Sequence, residues 1–208
     1  DALGVKHKPF VDRYLKFKTH TLSIFSFASI FVWQKLYNIY YQVINGALCI
    51  FFQDRIGIFM PLPALGETLD AAIINEAFKI MDGINKNRKI SRIENIKEAE
   101  VEIYQSFDLD VRDGEREYLY ARRPLTDLSG NKFKSQRGSY NYFIKHYNYQ
   151  FVGFLPSMKE EGLNLYKVWM QDRMKKSDEP IYQGMLKDNL STHKIALENY
   201  QALGLTAK

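Results

Sequence analysis

Apolar positions along this chain recur at two spacings, and the switches between them mark its elements. After a polar lead-in over residues 1–9, Phe10–Phe17 can start a helix, and Leu22–Tyr37 carries a stronger pattern. Phe25, Ser29, Val32 and Leu36 recur there at three- and four-residue steps, as do Phe27, Ile30 and Trp33. That segment is apolar nearly all round and predicts a buried helix. The period then drops to two. Ile39–Ile44 and Ala47–Gln53 are β-rich runs joined by Asn45-Gly46, a pair that favours positive φ at both turn positions and so predicts a tight hairpin. Ile56–Pro61 reads as a third strand, closed by Pro61 and Pro63.

Helical spacing returns from about Glu67 to Asn85, where Leu69, Ile73, Ala77 and Ile80 form one stripe. Lys89–Ile96 predicts a short strand and Lys97–Ser106 a short helix. Glu117–Arg122 predicts another strand, with Tyr118 and Tyr120 on one face, and Tyr149–Leu155 a further one. Helices are predicted over Lys132–Tyr147, Leu163–Lys175 and Thr192–Leu203, the last stopped by Gly204. Alternating strands and helices without internal repeats argue for a layered α/β protein.

Composition changes this picture little. At 208 residues, with 46% hydrophobic and 25% charged positions, the chain can bury a sizeable core. Fourteen Tyr and fourteen Phe suggest sheet packed on helices or a stacking surface. Charge changes it more. The net charge is +5, which is compatible with nucleic-acid or anionic-lipid partners without demanding them. Between Lys97 and Glu117 eight acidic residues face three basic ones, whereas Asn131–Asn148 holds four basic residues and no acidic one.

Cys49 is the only cysteine, which excludes an intrachain disulfide and a multi-cysteine zinc site. His7, His20, His146 and His193 show no metal-ligand spacing, so no metal is expected. The longest apolar run, Ile24–Trp33, is too short to span a bilayer, and no secretory leader pattern is visible. A cytoplasmic protein is therefore the expectation. Acidic residues from Glu98 to Glu117 could include a general base or form a solvated helix face. No Ser/His/Asp arrangement can be assigned, and catalytic residues stay unassigned.

The stretch Tyr118–Phe143 is the most informative. It joins aromatic and basic residues to a Gly130-Asn131 turn and a basic helix. Leu128, Gly130, Lys132, Arg137, Asn141 and Phe143 match the pattern of the phosphatidylglycerol lysyltransferase C-terminal-domain family and its soluble bacterial relatives. The sequence departs from that pattern at Gln136 and Gly138, where Lys and Asn are frequent. Ser26–Trp33 with the following hairpin, and the end of the chain with Asn199-Tyr200 and Leu203-Gly204-Leu205, extend the resemblance over most of the chain from Leu22.

The resemblance implies an acyltransferase-like (N-acyltransferase) α/β fold of the α+β kind, a mixed, mainly antiparallel sheet flanked by helices. It also implies two such domains in tandem. Residues 1–155 would form the first and 156–208 the helices leading to a second, which this chain lacks. The implied function is acyl or aminoacyl transfer, with coenzyme A or aminoacyl-tRNA as the donor and the chain inactive alone. The alternative is a non-catalytic anion-binding or structural domain.

Either way, Lys132, Lys134, Arg137, Asn141 and Lys145 are the candidate anion-binding residues, for tRNA or an anionic lipid headgroup. At 100° per residue, Lys134, Arg137, Asn141 and Lys145 form one stripe, with Lys132 off it at the helix start. Phe133, Tyr140, Phe143, Ile144 and Tyr147 lie more on the other side. A solvated basic face over an apolar one gives the same pattern. An acetyltransferase pyrophosphate loop, Gln/Arg-x-x-Gly-x-Gly/Ala before a helix, is represented only by the fragment Gln136-Arg137-Gly138. The oligomeric state is not legible.

Overall fold

The computed structural model describes every residue except Lys18, Glu115 and 206–208. It divides into two units, Asp1–Gly114 with Leu155–Leu205, and Glu115–Phe154. The first unit is built on a three-stranded antiparallel sheet of β1 (Asn38–Ile44), β2 (Ala47–Gln53) and β3 (Ile58–Phe59), in that order. Asn38 pairs with Gln53 and Ile44 with Ala47, so the hairpin closes on Asn45-Gly46. Their φ values, 47° and 83°, are the positive ones that such a turn requires.

β2 lies at the centre and is buried on both faces, which splits its side chains between two layers. Leu48, Ile50 and Phe52 pack with Val11 of α1 (Lys8–Leu15) and with Phe27, Ile30 and Phe31 of α2 (Phe27–Phe31). Ala47, Cys49 and Phe51 face the other way, onto Ile73, Ala77 and Met81 of α3 (Ala71–Ile84). α3 starts where the Asp70 carboxylate accepts a 2.8 Å hydrogen bond from the Ile73 amide. After α3 the chain returns to the sheet, and Met60 exchanges backbone hydrogen bonds with Arg92 and Glu94 in a parallel bridge.

Asn85 fixes the end of that crossover. Its side-chain amide accepts from the Ile58 amide at 2.7 Å and donates to the Ile58 carbonyl at 2.8 Å, as a neighbouring strand would. It also donates to Ser91, whose hydroxyl donates to Asp82 at 2.6 Å. Gly57 is required beside it, because a Cβ there would stand 2.3 Å from Asn85 Oδ1. Later in the chain, α7 (Lys159–Met174) packs on α8 (Pro180–Glu198), and α9 (Tyr200–Leu203) follows. Ile195 of α8 and Leu203 of α9 join the core on the α1–α2 side of the sheet. Gly204, at φ 67°, ends α9.

Several predicted elements come out differently. The helix expected over Leu22–Tyr37 is reduced to α2, which Ser26 caps through its hydroxyl, and hydrogen-bonded turns follow. Those turns deliver Tyr37 to the sheet, where its ring stacks on Phe52 at 5.0 Å. The third strand is shorter than Ile56–Pro61, because Asp54 Oδ1 accepts from the amides of Ile56 and Gly57 and holds them in a turn. Lys89–Ile96 supplies a short helical turn, Arg88–Ile90, and the single bridge to Met60 rather than a strand. The 97–106 helix is a helical turn at Glu98–Glu100 running into α4 (Val101–Gln105). Glu117–Arg122 and Tyr149–Leu155 form no strand: among the described residues no ladder partner pairs with them, and Arg122 already begins α5 (Arg122–Asp127). α7 begins earlier than predicted, and the predicted 192–203 helix is the end of α8 plus α9.

Candidate anion-binding site

The candidate residues lie together in the second unit, on α6 (Lys134–His146) and the turn before it. α5 ends at Leu128, which adopts the left-handed conformation at φ 46°, and Gly130 follows at φ 83°. This exposes carbonyls that α5 cannot pair. Arg137 reaches back from α6 to them. Its guanidinium donates to the Leu128 carbonyl and, at 2.7 Å, to the Gly130 carbonyl. One guanidinium nitrogen, Nη1, thus bridges the two carbonyls and fixes the approach to α6.

The predicted stripe is therefore divided. Lys134, Asn141 and Lys145 are exposed along one side of α6, whereas Arg137 is half-buried and spent on the turn. Lys132 sits on the helical turn Asn131–Phe133, with its ammonium 5.1 Å from the Phe133 ring centre. The free edge is two lysines and an amide. Its geometry suits loose contact with phosphates rather than a fixed cradle.

The connection before α3 offers no cradle for the diphosphate of a donor such as coenzyme A. The βα connection before α3 is the place where backbone amides would be offered, since amides at a helix N-terminus attract anions. Here Pro61 and Pro63 lack amide hydrogens, Leu62, Ala64 and Leu65 are buried, and the Asp70 carboxylate already occupies the helix N-terminus. Gln136-Arg137-Gly138 lies inside α6, where its amides serve the helix and form no loop. Among the described residues no group of three or more His, Cys, Asp or Glu could hold a metal ion. No described helix is long and apolar enough to cross a membrane.

Four groups of the first unit, Tyr37, Cys49, Tyr104 and Tyr166, are raised, each chiefly by burial, and none belongs to this site. Burial pushes the Cys49 thiol up to about 12. Burial also raises Tyr104, helped by Glu100 and Cys49, and its hydroxyl has no hydrogen-bond partner among the described residues. The sequence carries no signal for Tyr104 or for the Asn85 clip, since each depends on what packs around it. The role of Arg137 likewise depends on the turn that its guanidinium reaches and not on its spacing from the other cations.

The fold is mixed α/β and acyltransferase-like, and the candidate residues lie in a basic, aromatic segment of the chain. Residues 17–191 match the family described as "Phosphatidylglycerol lysyltransferase, C-terminal", and the chain belongs to that family. No curated protein matches it. A crystal structure of a conserved protein of unknown function from Bacteroides thetaiotaomicron VPI-5482 has the same fold, with a TM-score of 0.82 at 19% identity. The match covers 99% of this chain and 69% of that one.

Proposed function

We propose that the chain is one lobe of an acyl- or aminoacyl-transferring enzyme and that it does not turn over by itself. Membership of the phosphatidylglycerol lysyltransferase C-terminal family carries the reading. In this reading residues 1–155 make the lobe, and 156–208 both add Ile195 and Leu203 to its core and lead on to a second lobe. An aminoacyl-tRNA suits the exposed Lys134–Asn141–Lys145 edge better than coenzyme A suits the loop before α3. In this scheme the lysines hold phosphates and position the donor, and the reacting groups are supplied elsewhere.

A second reading follows from the same edge. Phosphates of RNA or of a lipid headgroup could be bound with no transfer at all, which would make this a binding domain. Turnover separates the two. The 208-residue chain, given labelled aminoacyl-tRNA and an amine or lipid acceptor, should transfer no label. Transfer above the no-protein rate would overturn the claim that it is silent alone.

A further inference from the structure

We propose that the ring cluster at the end of α6 is a stacking platform for unpaired bases of an RNA strand, whose phosphates run along the lysine edge beside it. The proposal rests on the phosphate-binding reading of that edge given above. Tyr142 stacks on His146, with ring centres 4.1 Å apart and planes 24° from parallel. Tyr142 also meets Tyr147 at 6.4 Å, and Phe143 meets Tyr147 at 5.3 Å and Tyr149 at 5.4 Å. These contacts join the rings into one continuous cluster. The His146 ring is held in it by its Nδ1–H, which donates to the Tyr142 carbonyl at 2.8 Å. Even so, Tyr142, Phe143, Tyr147 and Tyr149 are 57%, 45%, 55% and 53% exposed. Rings that meet as part of a core are covered instead, as Phe52 and Phe59 are at 3% and 8%.

Charge selects the ligand. Residues 128–154 contain no Asp or Glu, and Lys134 and Lys145 are exposed on the same helix as the rings. Helical geometry sets both on one flank of the cluster, Lys145 about 60° and Lys134 about 80° around α6 from Tyr142. A strand lying along that flank can rest its phosphates on the lysines and turn its bases onto the rings. Every base has a π face, so such a platform needs no particular sequence, and the cations track the backbone. A protein partner suits the surface less well, because the centres of protein interfaces are depleted in Lys. A membrane suits it less well too, because Tyr142, His146, Tyr147 and Tyr149 all carry polar atoms where an inserting face is rich in Leu, Phe or Trp. A duplex keeps its base faces stacked on one another, which leaves unpaired nucleotides as the class that fits.

Fluorescence anisotropy with the 208-residue chain tests this, using a labelled oligouridylate of about 12 nucleotides and an RNA duplex of the same length. The single strand should bind roughly tenfold more tightly than the duplex. Tyr142→Ala/Tyr147→Ala should remove that preference, weakening the single strand by about tenfold or more and leaving the duplex unchanged. Tyr142→Phe/Tyr147→Phe should bind as wild type does, because stacking uses the ring face and not the hydroxyl. Equal affinity for strand and duplex would overturn the platform, as would an Ala pair that binds the strand like wild type or a Phe pair that fails like the Ala pair. Binding to vesicles of phosphatidylglycerol in phosphatidylcholine, with none to the oligouridylate, would replace it with a membrane surface. The edge is read separately, through Lys134→Ala/Lys145→Ala against the duplex. Loss there with an unaltered Ala pair would sink the platform and leave the phosphate edge standing, and no binding to either RNA would sink both.

Discussion

At the scale of single residues, two buried polar groups behave oppositely. Asn85 is fully engaged, pairing both backbone groups of Ile58 and reaching Ser91. Asn85→Leu would keep the volume but orphan the Ile58 amide and carbonyl, and we expect a loss of about 3 kcal/mol in unfolding free energy. Urea titration checks this, and a loss under about 1 kcal/mol would mean that water replaces the amide. Tyr104 is the reverse, a hydroxyl buried without a partner among the described residues. Removing an unsatisfied buried group removes its desolvation cost. Tyr104→Phe should therefore raise stability by roughly 1 kcal/mol, and a destabilised variant would reveal a partner for that hydroxyl.

Among the elements, β2 carries one group, Cys49, that links stability to pH. Cys49 sits in it with no exposed surface, and burial moves its thiol from 9.0 to about 12. The folded state thus keeps a proton that the unfolded state gives up. Stability from this group is complete below the unfolded thiol range and is lost as pH rises from about 9 towards 12. The expected slope is about 1 kcal/mol per pH unit across that window. Tyr37 and Tyr104 are raised as well, so the slope has to be compared with that of Cys49→Val. Equal slopes in thermal melts of the two proteins between pH 9 and 11 would count against the assignment.

For the whole molecule, charge and apolar surface concentrate in one segment. Residues 115–154 hold seven Lys or Arg and three Asp or Glu, a difference of +4 (7 − 3) out of the chain's +5. Lys134 and Lys145 are the exposed cations of the α6 edge, and each phosphate contact made adds nearly one unit to the salt dependence of binding. Lys134→Ala/Lys145→Ala should lower the slope of log affinity for tRNA against log salt by about two. Anionic vesicles run in parallel would tell a lipid headgroup from RNA. A double variant that binds both as wild type does would reduce the edge to a solvated helix face.

The hairpin, α3 and the stop at Gly204 were legible in the sequence because their causes are local. Asn45-Gly46 supplies its own turn, Asp70 its own cap and Gly204 its own left-handed end. The candidate cations were legible too, but their use was not. Nothing in the spacing of Lys134, Arg137 and Lys145 says that the middle one will be drawn to the carbonyls of Leu128 and Gly130. Glu117–Arg122 and Tyr149–Leu155 alternate as strands do and still form none, since a strand exists only when another strand lies beside it. Sequence by itself therefore determined the Asn45-Gly46 turn, the body of α3, the stop at Gly204 and the family. Tertiary structure alone decided which alternating runs find a ladder, which cation is spent on the backbone and which aromatic rings stay uncovered, because each depends on groups far away along the chain.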